Sequence, residues 1–258
     1  MNIKLIYFYF KNNLKQRLAS RSRIFSNLIE FIAGCIFPLV TWYSFIDDIT
    51  VAGIYIKKIL MNYLFFYLFS YTHYDDISNI IVTGSLNIQL LKPHHILNSF
   101  LYKFMGSFFS KVSCALIPSV IFYFAFCNFT LDSFKIENFA GLILLVFFLL
   151  LLLGTAFLLG VLIGSISFWI GEIWPIRLFF ILGGGALAGT WFPFEGCLRF
   201  FEFLPFGLLG AGLTDFLTSN INKRLYLFTA ALFWFIVLLF LTDVLWKQGS
   251  KKYEAEGG

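Results

Sequence analysis

Apolar residues run along this chain in stretches long enough to cross a bilayer, separated by short polar segments. A bilayer core about 30 Å thick is crossed by roughly 20 apolar residues in a helix. Six stretches meet that requirement: about Ile24 to Ile46, Ile54 to His73, Met105 to Cys127, Phe139 to Phe168, Trp174 to Pro193 and Leu225 to Trp246. The fourth is long enough to tilt strongly or bend. One more apolar stretch, "FPFEGCLRFFEFLPFGLLGAG" from Phe192 to Gly212, is broken by Pro193, Pro205, Gly207, Gly210 and Gly212. It is too apolar for an aqueous loop and too interrupted for a span. Its charges Glu195, Arg199 and Glu202 recur at i, i+4 and i+7, which puts them on one helical face. These features predict a re-entrant hairpin dipping into the outer leaflet, supported by protein.

Two shorter segments carry helical periodicity. Ile3, Tyr7, Phe10, Leu14 and Leu18 repeat at helical spacing, with Lys4, Lys11 and Lys15 on other faces. Such a helix lies in the membrane interface, with its apolar side in lipid and its lysines toward anionic headgroups. Between spans two and three, Asp75 and Asp76 open a short helix at the end where the macrodipole favours acid. Ile77, Ile80 and Ile81 give it an apolar stripe, and Gly84 ends it in a left-handed turn. Leu86, Leu90 and Leu91 form a second apolar patch, followed by Lys92 and the stop at Pro93. Apolar side chains on an exposed loop helix await a partner protein.

The predicted fold class is therefore an all-α polytopic membrane protein with six transmembrane helices. Over residues 1–258 the layout is one transmembrane domain. It comprises an interfacial helix (1–23), spans one and two (24–73), a loop (74–96), spans three to five (97–193), an outer hairpin and loop (194–224), span six (225–246) and a tail (247–258).

Composition supports the class. The chain is 59% hydrophobic and 13% charged, and a soluble domain carries about 25% charged residues. Its mean hydropathy is +0.83. Lys4, Lys11, Lys15, Arg17, Arg21 and Arg23 precede the first span, and Lys247, Lys251 and Lys252 follow the last. By the positive-inside rule both termini are cytoplasmic, and with them the 74–96 loop and the "WIGEIWPIR" turn. Trp42 and Trp191 fall at outer ends; Trp169, Trp174 and Trp246 fall at inner ends. Lys57 and Lys58 oppose this topology, which places them outside. The N-terminus lacks an uncharged apolar run with a cleavage site, so the first span is expected to act as its own insertion signal.

Enzyme signatures are missing. "LGGGALAGTW" has no GK[ST], so ATP binding by a Walker A loop is excluded. Asp75–Asp76 is similar to the aspartate pairs of membrane prenyltransferases, but the third carboxylate of a DDxxD spacing is absent. His94 and His95 are adjacent and point about 100° apart on a helix, so they cannot share a metal. No catalytic residue, metal site or nucleic-acid partner is expected.

The segment "GSLNIQLLKPHHI" resembles the one that follows the second span in permease subunits of type-2 ABC transporters. Gly84, Leu86, Leu90, Leu91, Lys92 and Pro93 carry the likeness. A second match is "GTWFPFEGCLRFFEFLPF", through Gly189, Pro193, Leu204, Pro205 and Phe206. The resemblance implies that the loop holds a coupling helix, with Asp75, Asp76, Ile77, Ile80, Ile81, Gly84, Leu86, Leu90, Leu91, Lys92 and Pro93 docking on a cytoplasmic ATPase. It implies that the hairpin closes the path to the exterior, with Gly189, Phe192, Pro193, Phe194, Leu204, Pro205 and Phe206 at the gate. It implies the interfacial helix with Lys4, Lys11 and Lys15, a bacterial inner-membrane location, two ATPase subunits, a second permease (identical or homologous) and contact with membrane lipids. No cofactor is expected in this chain, since ATP and Mg belong to the ATPase. Membrane-integral lipid or isoprenoid enzymes and non-transporting scaffolds are the alternative readings.

Overall fold

The computed structural model describes residues 7–8, 11–12, 15, 29, 32–37, 40–42, 44, 49–69, 74–86, 97–109, 112, 139–194 and 196–253. Every regular element among them is helical. Residues 32–37 and 40–42 are helical. They are followed by α1 (Ile49–Leu68), α2 (Tyr74–Val82), α3 (97–109), α4 (Phe139–Ser165), α5 (Ser167–Ile170) and α6 (Trp174–Leu187). Next come a 3-10 helix (Gly196–Phe203), α7 (Pro205–Gly207), a π-helical turn (Leu208–Gly212), α8 (Leu213–Thr218) and α9 (Ile221–Lys252).

Two helical stretches have the length and apolarity of complete membrane crossings: α4 with α5 (Phe139–Ile170) and α9, each 32 residues. They pack against each other along their lengths, and neither forms a hydrophobic stripe because lipid and protein both accept apolar side chains. Small residues set the close approach. Gly154 lies under the Phe235 ring, and Gly249 under Phe168, with no room for a Cβ at either. At one end Phe168 meets Trp246 edge-on at 5.5 Å and Tyr253 at 6.1 Å, which anchors the end of α9.

Several boundaries differ from the sequence expectation. α1 begins and ends about one turn earlier than the predicted second span, and residues 97–104, ahead of the predicted third span, are already helical. α9 extends beyond both predicted ends. α6 stops at Leu187, well short of Pro193, and its 14 residues rise about 21 Å. Side-chain and turn chemistry end it: Thr190 Oγ1 donates to Gly185 O at 2.9 Å, and Gly189 adopts φ +73°, a left-handed conformation. The long fourth stretch runs on through Ile166, whose dihedrals are helical (φ −60°, ψ −25°), from α4 into α5.

The helices sort the remaining elements to two ends. α2 sits on the C-terminal part of α4, where Ile77 and the Tyr74 carbonyl press on Gly164. The 196–218 hairpin sits toward the other end of α4, where Phe148 stacks on Phe216 at 4.2 Å and 8°. The two contacts are 16 residues apart on α4, about 24 Å of helix rise. Trp42 and Trp191, both expected at one face, meet at the hairpin end: Trp42 Nε1 donates to Trp191 O at 2.9 Å, and its ring lies 5.7 Å from Tyr55.

Candidate functional site

The hairpin is built from broken helices. Leu204, in an extended conformation, separates the 3-10 helix from α7, and Pro205 takes the first turn of α7, where its missing N–H costs nothing. The π turn widens the backbone at Leu208–Gly212, and there the Ala211 N–H donates to Ala188 O at 2.9 Å. Gly210 permits that contact, since a Cβ on it would overlap the Ala188 carbonyl oxygen. Leu208, Leu209, Leu213 and Phe216 are all fully buried, which fixes the hairpin as part of the protein core. Trp234 Nε1 of α9 donates to Phe203 O at 2.8 Å, satisfying a carbonyl near the end of the 3-10 helix.

The gate residues inferred from the resemblance come together here. Gly189 contacts the Asn62 amide and the Phe194 ring. Phe194 is buried, packing on Phe192 at 6.1 Å and Phe201 at 5.8 Å, while Phe192 is on the surface. Pro193 is buried, Leu204 and Pro205 turn the chain, and Phe206 meets Phe180 of α6 at 6.3 Å.

Sequence reasoning missed the polar side of this site. Asn62, in mid-α1, is fully buried and donates from Nδ2 to Gly189 O at 2.9 Å. One turn earlier, Lys58 forms an ion pair with Asp215 Oδ1 at 3.1 Å and lies 3.9 Å from Glu202 Oε1. Lys223, at the start of α9, donates to Glu202 Oε2 at 2.8 Å and also pairs with Asp215 Oδ2. The adjacent Arg224 is buried, donates from Nε to Phe216 O at 2.9 Å and lies 6.0 Å from the Phe216 ring. Glu202 is 0% exposed, whereas Arg199 is exposed, so these two do not share a common environment. Glu195 lies outside the described residues.

Burial and the nearby Asp215 carboxylate raise the Glu202 carboxyl above its ordinary range, against the pull of Lys223. Burial also acts to raise Asp215, but Lys58 and Lys223 outweigh it and hold that carboxyl below its ordinary range. Lys58, the residue that dissented from the sequence topology, is thus neutralised by hairpin carboxylates. Lys57 beside it is exposed. A pairing between positions 58 and 215 leaves no local trace, so only an unexplained charge in an apolar helix signalled it.

At the opposite end, Gly84 has φ +72° and closes α2 as its position required. The apolar stripe of α2 faces differently from the expectation. Ile77 is 0% exposed and Ile81 6%, both packed on α4, and Leu86 is buried too. A nine-residue helix lying across the end of a bundle lowers its free energy by burying its apolar side against its own chain. The outward face carries Asp76, Asn79 and Thr83, with Asp75 and Ile80 half-buried. Leu90, Leu91, Lys92 and Pro93 lie outside the described residues, as does Lys4. Lys11 and Lys15 are helical and exposed, and Lys11 Nζ sits 5.9 Å from the Tyr7 ring centroid.

The family profile described as ABC-2 family transporter protein matches residues 24–257. The chain belongs to the ABC-2 transporter family. No curated protein matches the sequence. Membership makes this a membrane transport component and implies partnership with an ABC ATPase. The match covers α1 to α9, so the α2 helix and the hairpin both belong to the ABC-2 region. Among the described residues, no three His, Cys, Asp or Glu side chains gather closely enough to hold a metal ion.

Proposed function

We propose that this chain is the six-span permease of an ATP-driven ABC-2 exporter in the bacterial inner membrane. Both termini and α2 face the cytoplasm in this reading, and the hairpin closes the outer end. Two ATPase subunits serve a pair of permeases, identical or homologous, and bind ATP and Mg themselves. The observation that carries the reading is the placement of α2 and the hairpin at opposite ends of α4, inside a chain of this family. An ATPase docked at one end needs a rigid route to a gate at the other.

The geometry supports such a route and refines the docking surface. Ile77, Ile81 and Leu86 fasten α2 to the permease, while Asp76, Asn79 and Thr83, flanked by Ile80, present a mainly polar edge to the ATPase. α1 precedes α2 along the chain, and near its middle Lys58 pairs with Asp215 of the hairpin while Asn62 donates to Gly189 O in the turn after α6. A shift of α2 with its ATPase then moves α1 against the hairpin as a rigid body.

Co-purification with the ABC ATPase tests this. Asp76→Lys and Ile80→Asp are expected to reduce permease-stimulated ATP turnover by about tenfold or more, the scale of one lost interface contact. For the exposed Asp76→Lys, the melting temperature of the permease alone should stay close to wild type. Unchanged binding and turnover in both variants would remove α2 from the docking surface.

A further inference from the structure

We propose that Lys58 latches the hairpin to α1 through a buried, charge-balanced network with Glu202, Asp215 and Lys223. Three separate elements contribute: α1 supplies Lys58, the hairpin supplies Glu202 and Asp215, and α9 supplies Lys223. The two carboxylates are almost wholly buried, with side chains 0% and 8% exposed, while the lysines are about one-third exposed. Two cations balance two anions, so no member of the group carries an uncompensated charge. Removal of one cation leaves a buried carboxylate with too little compensation, which strongly disfavours the closed packing.

The two lysines are not equivalent. Lys223 bridges both carboxylates, but it follows α8 by only a few residues, so this bridge holds the hairpin to its own continuation. Lys58 is the charged contact that reaches the hairpin from α1, 157 residues from Asp215 in sequence. Lys58 is therefore a positioning residue. It ties α1 to the hairpin, alongside the neutral hydrogen bond from Asn62 to Gly189 in the turn after α6. Glu202 Oε1 is buried without a hydrogen bond and lies 3.9 Å from Lys58 Nζ. Release of Lys58 takes its compensating charge away from both carboxylates in one step.

The latch is independent of any ATPase, and its test separates it from the proposed transport function. Amide hydrogen exchange is measured on the full chain in lipid nanodiscs without nucleotide or partner, for wild type, Lys58→Met, Glu202→Gln and the double variant. Each single variant leaves an unbalanced charge and is expected to speed exchange over residues 205–218 by about tenfold or more, with little change over 139–165. The double variant keeps the Lys223–Asp215 pair and restores neutrality, so its exchange should be slower than that of either single variant. Lys58→Arg retains the charge and should exchange like wild type. Silent single variants, a double variant faster than both, acceleration spreading through 139–165, or Lys58→Arg behaving like Lys58→Met would each overturn the latch. Loss of ATPase binding in the docking experiment would leave these expectations unchanged.

Discussion

Gly210 and Gly183 show how much a single residue can weigh when backbone meets backbone. Both are glycines in or beside helices, and nothing in their local sequence separates them. A Cβ at Gly210 collides with the Ala188 carbonyl, which also accepts the Ala211 N–H, while a Cβ at Gly183 meets nothing within 4 Å. Gly210→Ala should therefore destabilise the protein by about 1–3 kcal/mol, the usual cost of overpacking. Gly183→Ala should be neutral or stabilise α6 by up to about 1 kcal/mol, through helix propensity and reduced freedom of the unfolded chain. Thermal melting of the purified protein checks both, and equal melting temperatures for the two variants would contradict the close approach at Gly210. The same distinction applies to charge. Lys57 and Lys58 are neighbours of identical chemistry, and one is exposed while the other sits against two buried carboxylates.

Element by element, the hairpin and α2 are the parts where helical pattern met tertiary demand. The pattern of α2 was visible: two acids in the first turn, isoleucines at helical spacing and a glycine stop. Which way the isoleucines point was not visible, because an amphipathic helix on a loop can bury its stripe in a partner or in its own chain with the same periodicity. Here Ile77 presses on Gly164 of α4. Ile77→Asp should accordingly lower the melting temperature of the permease without any ATPase present, as a buried unpaired charge disrupts the α2–α4 contact. An exposed stripe would leave the melting temperature unaltered, and that result would sink the inward orientation. The hairpin was legible as an element too apolar and too broken for either a loop or a span. Its sequence of 3-10, α and π turns depended on contacts from elsewhere, including Ala188 O and the Trp234 indole.

The whole molecule is organised by its two ends. The long helices α4–α5 and α9 form the frame, α2 lies toward one end and the hairpin toward the other. That arrangement predicts sidedness. In a variant lacking Cys35, Cys114, Cys127 and Cys197, a cysteine placed at Thr83 and one placed at Phe200, both exposed positions, should react with a membrane-impermeant thiol reagent from opposite sides. The Phe200 cysteine should react in intact cells, and the Thr83 cysteine only after the membrane is opened. Reaction of both from the same side would refute the two-ended topology. The basic termini favour the cytoplasm for the α2 end. Of the cations that run against this rule at the hairpin end, Lys58 and Lys223 are held by Glu202 and Asp215, while Lys57 and Arg199 are exposed.

Amino-acid order alone determined that the chain is helical and built for a membrane, that a short helix follows the second apolar stretch, and that a broken apolar hairpin lies between the fifth and sixth. These properties depend on apolarity, spacing and turn residues over roughly 20 positions, and the chain carries them locally. Tertiary structure alone decided that Ile77 and Ile81 face inward, and that Lys58 finds Asp215 and Asn62 finds Gly189. Each of those outcomes joins residues more than 80 positions apart or selects between two faces of equal local energy, and only the packing of the folded chain distinguishes them.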